Sequence, residues 1–358
     1  MVDEEAGAPR HAAAALVGFA ADVLAAQGMR AEEARRVAEL MVEADLTGAD
    51  AHGIFRLPQY VRRLRAGGMN PRPEIVVRRL APAVAMVEGD NGPGHLVMSR
   101  TAETAIAVAR ESGIAWVGAR QSNHAGSGAV HACLPLAAGM VGIYTVVASA
   151  NHMAPWGGTE SLLGTNPLAI AIPMGEDDPV VLDMATTVVS YGTVKGHALQ
   201  DRPMPEGWMI DARTGEPLTD PKRSHEGILL PVGGYKGSGL ALVLGLLAGP
   251  LNRAAFGRDV VDFNADDRTV TETGHVLIAL DVSRFLDPAM FQVEVRRHLE
   301  DLRASARLPG VDRIRTPGEL RGERRRDRVA RGVVLPAALV AGLDRLATEA
   351  DVAPLAER

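Results

Sequence analysis

Cysteine is almost absent: Cys133 is the only one in 358 residues, which excludes an internal disulfide framework and a cysteine-built zinc cage. Lysine is nearly as scarce. It occurs only at Lys195, Lys222 and Lys236 against a background of arginine. The two cations differ in hydrogen-bonding geometry, so a lysine set among glycines, as Lys236 is, carries information. No apolar run approaches the roughly 20 residues that cross a bilayer. The opening MVDEEAGAPR has neither the basic nor the apolar region of a secretory leader, so a soluble, cytoplasmic protein without membrane contact is expected. The net charge of −6 argues against nucleic acid as the main partner. The one basic run, GERRRDRVARG (322–332), has no interleaved aromatics and reads as a solvated helical face. What remains is globular in composition, with 47% hydrophobic residues, enough for a large core.

Sequence motifs are missing as well. A nicotinamide enzyme is usually sought through G-x-G-x-x-G after a first strand. NGPGHLV (91–97) has Val97 in the third glycine place, and GSGAVHA (126–132) has His131 there. GGYKGSG (233–239) is not a P-loop, because its lysine precedes the later glycines. There is no H-E-x-x-H and no G-x-S-x-G, and the ten histidines lack ligand spacing, so no metal site is indicated.

The periodicities that are present divide the chain. Val37, Leu40, Met41 and Ala44 form one helical stripe closed by Gly48; Leu57, Tyr60, Val61 and Leu64 form another between Pro58 and Gly67-Gly68. From about residue 75, β-rich runs appear at 75–77, 114–119, 141–149, 168–173, 180–184 and 275–282. Helical stretches at 98–111, 128–139 and 237–248 lie between them, which indicates an α/β core. The arginine-rich tail from 317 is helical again and is expected to pack on the N-terminal helices. The predicted organisation is a discontinuous helical domain, residues 1–75 and 317–358, around an α/β domain of residues 76–316.

Several residues are candidates for chemistry. His52 sits in the loop TGADAHG between two helices, and an imidazole titrates near neutral pH. Arg56, four residues on, offers a planar fork for a carboxylate. Together they suit a proton donor beside a carboxylate clamp; a histidine packed in an interhelical loop fits equally well. His124, in QSNHAGSG after the run IAWVGA, occupies a loop position favoured for ligands, with Ser122 and Asn123 beside it. The loop 151–167 is long and turn-rich, either functional or a structural Ω-loop. Asp183 ends VVLD and is expected to cap a helix formed by MATTVVSYG, a helix end that can also receive phosphate. Lys236 lies on a glycine loop consistent with an anion site or with a plain tight turn.

In order along the chain, DLTGADAHGIFRLPQYVRRLRAGGMNP, GARQSNHAGSG, MAPWGGTESLLGTNPLAIAIP, VVLDMATT, MPEGWMID, LLPVGGYKGSGLALVLGLLAG and TPGEL resemble the malate/L-lactate dehydrogenase family that is unrelated to the Rossmann-type enzymes. The similarity runs over roughly residues 30–335. It implies a non-Rossmann NAD(P)-binding sheet core, a homodimer, and hydride transfer between NAD or NADP and C2 of a small 2-oxo or 2-hydroxy acid. Reduction of a cyclic imino acid is the same-chemistry alternative, and a nicotinamide-binding protein without turnover is the alternative from another class. The resemblance makes His52 or His124 the acid/base, and Arg56, Tyr60 and Thr165 substrate-binding residues. It assigns Ser122, Ser149, Asn166, Asp183, Met184, Ala185, Lys236, Gly318 and Glu319 to the cofactor. Two departures bear on substrate identity. Ala51 stands where the family has serine, and Asn151-His152 precede MAPWGG where smaller residues are usual.

Overall fold

Residues 9–358 are described by the computed structural model; residues 1–8, most of the acidic opening read for a leader, lie outside the described residues. The two N-terminal stripes close into helices α2 (Ala31–Leu46) and α3 (Leu57–Ala66), preceded by α1 (Ala13–Ala26). α2 buries Val37, Leu40, Met41 and Ala44, and Gly48 follows it at φ 81°, a left-handed conformation that costs glycine little. α3 carries Pro58 in its first turn, where a missing N–H goes unneeded. The connection between them forms two tight turns, Asp50–His52 and Ile54–Arg56.

The later helices are α4 (Gly94–Ser112), α5 (Gly128–Ala132), α6 (Tyr191–Leu199), α7 (Tyr235–Ala248), α8 (Pro288–Ala304), α9 (Glu319–Arg331) and α10 (Ala337–Ala350). Three points correct the sequence reading. The helix over 128–139 breaks, because Pro135 has no N–H to donate; α5 ends at Ala132 and a 3-10 turn takes Leu134–Ala138. Helix does not follow Asp183 directly. α6 starts at Tyr191 and is capped by Ser190, whose Oγ accepts from the Thr193 amide at 3.1 Å. Finally, residues 288–304, where the sequence reading assigns no helix, form α8, whose Phe291, Val295 and Leu299 recur at i, i+4 and i+8 on a half-buried face.

The strands are β1 (Arg10–His11), β2 (Val76–Ala81), β3 (Val84–Glu88), β4 (Ile114–Ser122), β5 (Met140–Val146), β6 (Leu168–Ile172), β7 (Val180–Met184), β8 (Met209–Asp211), β9 (Gly227–Leu229), β10 (Thr273–Asp281) and β11 (Val333–Val334). Seven of them form one sheet in the order β2-β3-β4-β10-β5-β6-β7. Only β3 and β4 run parallel; every other neighbouring pair in that sheet is antiparallel. A Rossmann half needs consecutive parallel strands, so the absent glycine fingerprint has a topological counterpart.

Side chains alternate across this sheet, as strand geometry requires. α4 lays Val97, Met98 and Ala105 on Val117, Ala119 and Leu277. On the other face Val276, Trp116 and Ile278 pack toward Ala248 of α7. A separate apolar cluster joins both ends of the chain: Leu16, Phe19, Met41 and Leu57 meet Leu343 and Leu346 of α10. Phe263 enters that cluster from the strand-rich middle. No described helix is long and apolar enough to cross a membrane.

Candidate active site

The seam between the helical cluster and the sheet is where the two histidine loops meet. β4 ends at Ser122, and the chain turns through Asn123 and His124. Asn123 is fully buried and its amide donates to the Asn91 carbonyl and Oδ1, each at 3.0 Å, and to the Gly92 carbonyl at 3.1 Å. A Cβ at Gly94 would collide with the Asn123 carbonyl, so glycine is required there for the loop to lie so close. His124 is thereby held at a fixed position.

The His52 loop is braced from behind. Asp45, near the end of α2, is buried and accepts from the Ile54 amide at 2.8 Å, holding the turn that carries Arg56. A Cβ at Gly53 would overlap the Asp45 carboxylate. Arg328 on α9 donates to the Asp45 carbonyl and pairs with Asp50, so the C-terminal helices support the same loop. Asp45 carries no motif. Its trace in the sequence is a carboxylate placed four residues after Met41 on the buried face of α2.

Arg56 donates through Nε to the Ala51 carbonyl at 2.8 Å and through Nη1 to Asn264 Oδ1 at 2.9 Å. Both partners are neutral, and no described carboxylate pairs with it. Asn264 reaches the site because α3 clamps its loop: Gln59 donates to the Phe263 carbonyl at 2.6 Å, and Arg63 to the Thr269 carbonyl at 2.6 Å.

The two imidazoles stack, with centroids 6.0 Å apart and planes 8° apart, and Phe263 lies 5.0 Å beyond His124. Both line one cleft with Arg56, Ser149 and Thr165. The cleft reaches them, yet protein surrounds them on most sides. Burial, and after it the Arg56 charge, lowers the pKa of His52 to about 4. The same two causes, with smaller contributions from neighbouring imidazoles, push His124 well below its usual value. Both are neutral at pH 7.

Their hydrogen bonding distinguishes them. The Tyr60 hydroxyl lies 2.6 Å from His124 Nδ1, and the Gly126 amide points at the same nitrogen from 3.3 Å. Burial raises the Tyr60 pKa, so the phenol keeps its proton and donates it. With two donors on Nδ1, the neutral ring carries its hydrogen on Nε2. His52 makes no side-chain hydrogen bond to any described residue.

The other expected residues are dispersed. Tyr60 is buried behind His124. Ser122 and Asn166 spend their polar atoms internally, Ser122 Oγ on His275 Nε2 at 3.0 Å and Asn166 on the Ala148 amide and Ala241 carbonyl. Asp183 lies within β7, followed by Met184 and Ala185, and caps α5 instead of a helix of its own, accepting from the Ala129 amide at 2.9 Å and Ser127 Oγ at 3.1 Å. Lys236 is exposed on the first turn of α7, outside the cleft lining. Glu319, next to Gly318, pairs with Arg303 at 2.6 Å in a different hollow. Reasoning from sequence missed Asn264, Tyr191 and Lys195, which line the cleft with His152. No described group of three His, Cys, Asp or Glu could hold a metal ion.

Residues 12–344 match the family model described as malate/L-lactate dehydrogenase. A malate dehydrogenase from Pyrococcus horikoshii is 36% identical over 312 residues, 85% of each chain. The ureidoglycolate dehydrogenase (NAD(+)) of Escherichia coli K12 is 32% identical over 306 residues, 86% of each. The solved structure of sulfolactate dehydrogenase from Methanocaldococcus jannaschii aligns with a TM-score of 0.89 at 32% identity, covering 98% of this chain and 99% of that one.

Proposed function

The chain belongs to the malate/L-lactate dehydrogenase family, and we propose that it transfers a hydride between a nicotinamide dinucleotide, NAD or NADP, and C2 of a small 2-oxo acid. One observation carries this reading. A guanidinium without a carboxylate partner and two neutral imidazoles converge on a single cleft. An uncompensated Arg in a partly dry site suits an anionic ligand, and its fork matches a carboxylate in two-point contact.

The residues present fit the cofactor. Beside the histidines the cleft wall is built from Ala125, Gly126, Val147, Ala148 and Ala150, small enough for a flat ring to lie against. Bound there, a nicotinamide supplies or accepts the hydride. A dinucleotide extends beyond this cleft, and the resemblance assigns its remainder to Asp183–Ala185, Lys236 and Gly318–Glu319, with Ser149 and Asn166 shaping the wall.

Arg56 anchors the substrate carboxylate and orients C2. That anion offsets the Arg56 field, so the imidazoles protonate more readily once substrate is bound. His124, protonated on both nitrogens, then gives its Nε2 proton to the oxygen that develops negative charge and is left neutral with its hydrogen on Nδ1, donated to the Tyr60 oxygen; in the oxidative direction the freed Nε2 takes the proton back. Tyr60 is a positioning residue: its hydroxyl donates to or accepts from Nδ1 in either charge state and holds the ring in place. His52, with no side-chain hydrogen bond among the described residues, hydrogen-bonds the bound acid. The homodimer implied by the resemblance belongs to the same reading, supported by Leu242, Val243 and Leu246, which α7 exposes as an apolar stripe.

The test is a panel of 2-oxo acids and cyclic imines read by nicotinamide absorbance. His124→Ala is expected to cut turnover about 10²–10⁴-fold, Tyr60→Phe less, with cofactor affinity nearly unchanged. Full activity in His124→Ala beside a dead His52→Ala exchanges the two roles. Turnover of imines alone replaces the oxo acid, and cofactor binding with no turnover of any compound overturns the reading.

A further inference from the structure

Arg56 is met in the cleft by a turn from the strand-rich middle of the chain. Asn264 is the residue of that turn which lines the cleft, and its amide has one orientation that satisfies both neighbours. The Asn264 side-chain nitrogen donates to Asp262 Oδ1 at 3.1 Å, as the Asn264 backbone amide does at 2.8 Å. Its Oδ1 is left to accept from Arg56 Nη1 at 2.9 Å. The reverse orientation would set an NH2 group against the guanidinium and an oxygen against the carboxylate. The turn is anchored on both sides. The Phe263 amide donates to the Ser149 carbonyl at 2.9 Å, and Gln59 holds the Phe263 carbonyl at 2.6 Å. Phe263 is fully buried and stacks on His124, so one short turn touches both the guanidinium and the imidazole.

We propose that Asn264 is a positioning residue that aims Arg56 into the cleft and, being an amide and not a carboxylate, leaves the guanidinium charge available to a bound anion. The inference rests on Arg56 taking the substrate carboxylate, as proposed above. An amide oxygen fixes a guanidinium by a hydrogen bond yet cancels none of its charge. An aspartate of the same shape would do both, and substrate would then have to displace an internal ion pair. Arg328 shows that outcome, paired with Asp50 on the loop that carries His52. Arg56 differs: burial lowers its pKa, and no described carboxylate lies within ion-pair distance of it. The same unmatched charge adds to burial in holding His52 and His124 neutral. Asn264 thus acts on two properties of the site at once, the grip of Arg56 on an anion and the proton affinity of the imidazoles.

The experiment compares the wild type with Asn264→Asp, Asn264→Leu and Arg56→Ala. Binding of 2-oxobutyrate is read by calorimetry beside oxidised nicotinamide, where no turnover occurs, and its reduction by steady-state kinetics as a function of pH. Asn264→Asp should weaken binding about 10–100-fold, the penalty when only a tenth to a hundredth of the guanidinium stays free of an internal partner. The loss should appear in KM far more than in kcat. The added negative charge offsets the Arg56 field, so the alkaline fall of kcat for reduction should move to higher pH in this variant. Asn264→Leu, which adds no charge, should raise KM by a smaller factor and leave that limb in place; it also carries the test if the aspartate variant does not fold. Wild-type binding in both Asn264 variants, beside an Arg56→Ala that has lost the acid, overturns the proposal. So does a fall in kcat and melting temperature with KM and the pH limb unmoved, which would make Asn264 structural only. Binding intact in Arg56→Ala removes instead the carboxylate reading of Arg56 on which the proposal stands.

Discussion

The chain contains two concentrations of positive charge, and they are treated in opposite ways. On α9, Arg325 pairs with Glu43, Arg326 with Asp178, Arg328 with Asp50 and Arg331 with Asp327. In the cleft, Arg56 and Lys195 have no carboxylate within ion-pair distance among the described residues. By residue count the tail is the basic region; by unmet charge the cleft is. A paired surface arginine is electrostatically finished, whereas a partly buried unpaired one is an unfilled demand for an anion. Binding is therefore to be sought where the protein has declined to neutralise itself.

The comparison breaks most visibly at Arg56. Arg56→Ala should lower kcat/KM by about 10²–10³-fold, the usual effect of deleting one side of a desolvated charge pair. A loss under threefold in steady-state kinetics would show that no substrate anion sits there.

Acid provides a second way to sharpen it. His52 and His131 are held at about 4 and His275 at about 3, all below the 6.5 of an unfolded chain, with burial the main cause. Between these values the unfolded state binds more protons, so stability is complete above about pH 6.5 and falls as pH drops toward 4. For the fully buried His131 and His275 the slope approaches roughly 1 kcal/mol per pH unit each. Calorimetric melting temperatures at pH 7, 6 and 5 should decrease in that order, and substrate should slow the decrease; a flat profile contradicts the neutral assignment.

The smallest effect belongs to the tail. Arg326→Ala removes an exposed pair, and its melting temperature should move by less than about 2 °C with kinetics intact. A large change in either would mean that α9 charge is not merely surface pairing.

Much of the scaffold was legible in local sequence. Gly48, Pro58 and Gly67 mark helix ends through backbone chemistry that needs no tertiary context. β4 and β10 announce themselves as apolar runs because the sheet buries both their faces. β3 escaped notice, although it forms the sheet's one parallel pair, because VAMVE is short and its alternation is weak. α8 was legible and was passed over: Phe291, Val295 and Leu299 repeat at i, i+4 and i+8, although the face they form is only half-buried. Asp183 was legible as a helix cap, but the helix it caps begins 55 residues earlier in the chain, at Gly128.

The chemistry-bearing residues separate along the same line. The sequence alone determined that an imidazole and a guanidinium lie four residues apart between two helices, and that a second imidazole follows a buried strand. The family resemblance raised those residues from candidates to a site. Only the tertiary structure decided that Tyr60 and Gly126 set the His124 tautomer, that Asn264 steadies Arg56 from 208 positions away, and that Lys195 shares the cleft. Helix ends and strand alternation follow from neighbours in the chain. Desolvation, Coulomb fields and hydrogen-bond partners depend on distance through space, and the fold sets those distances.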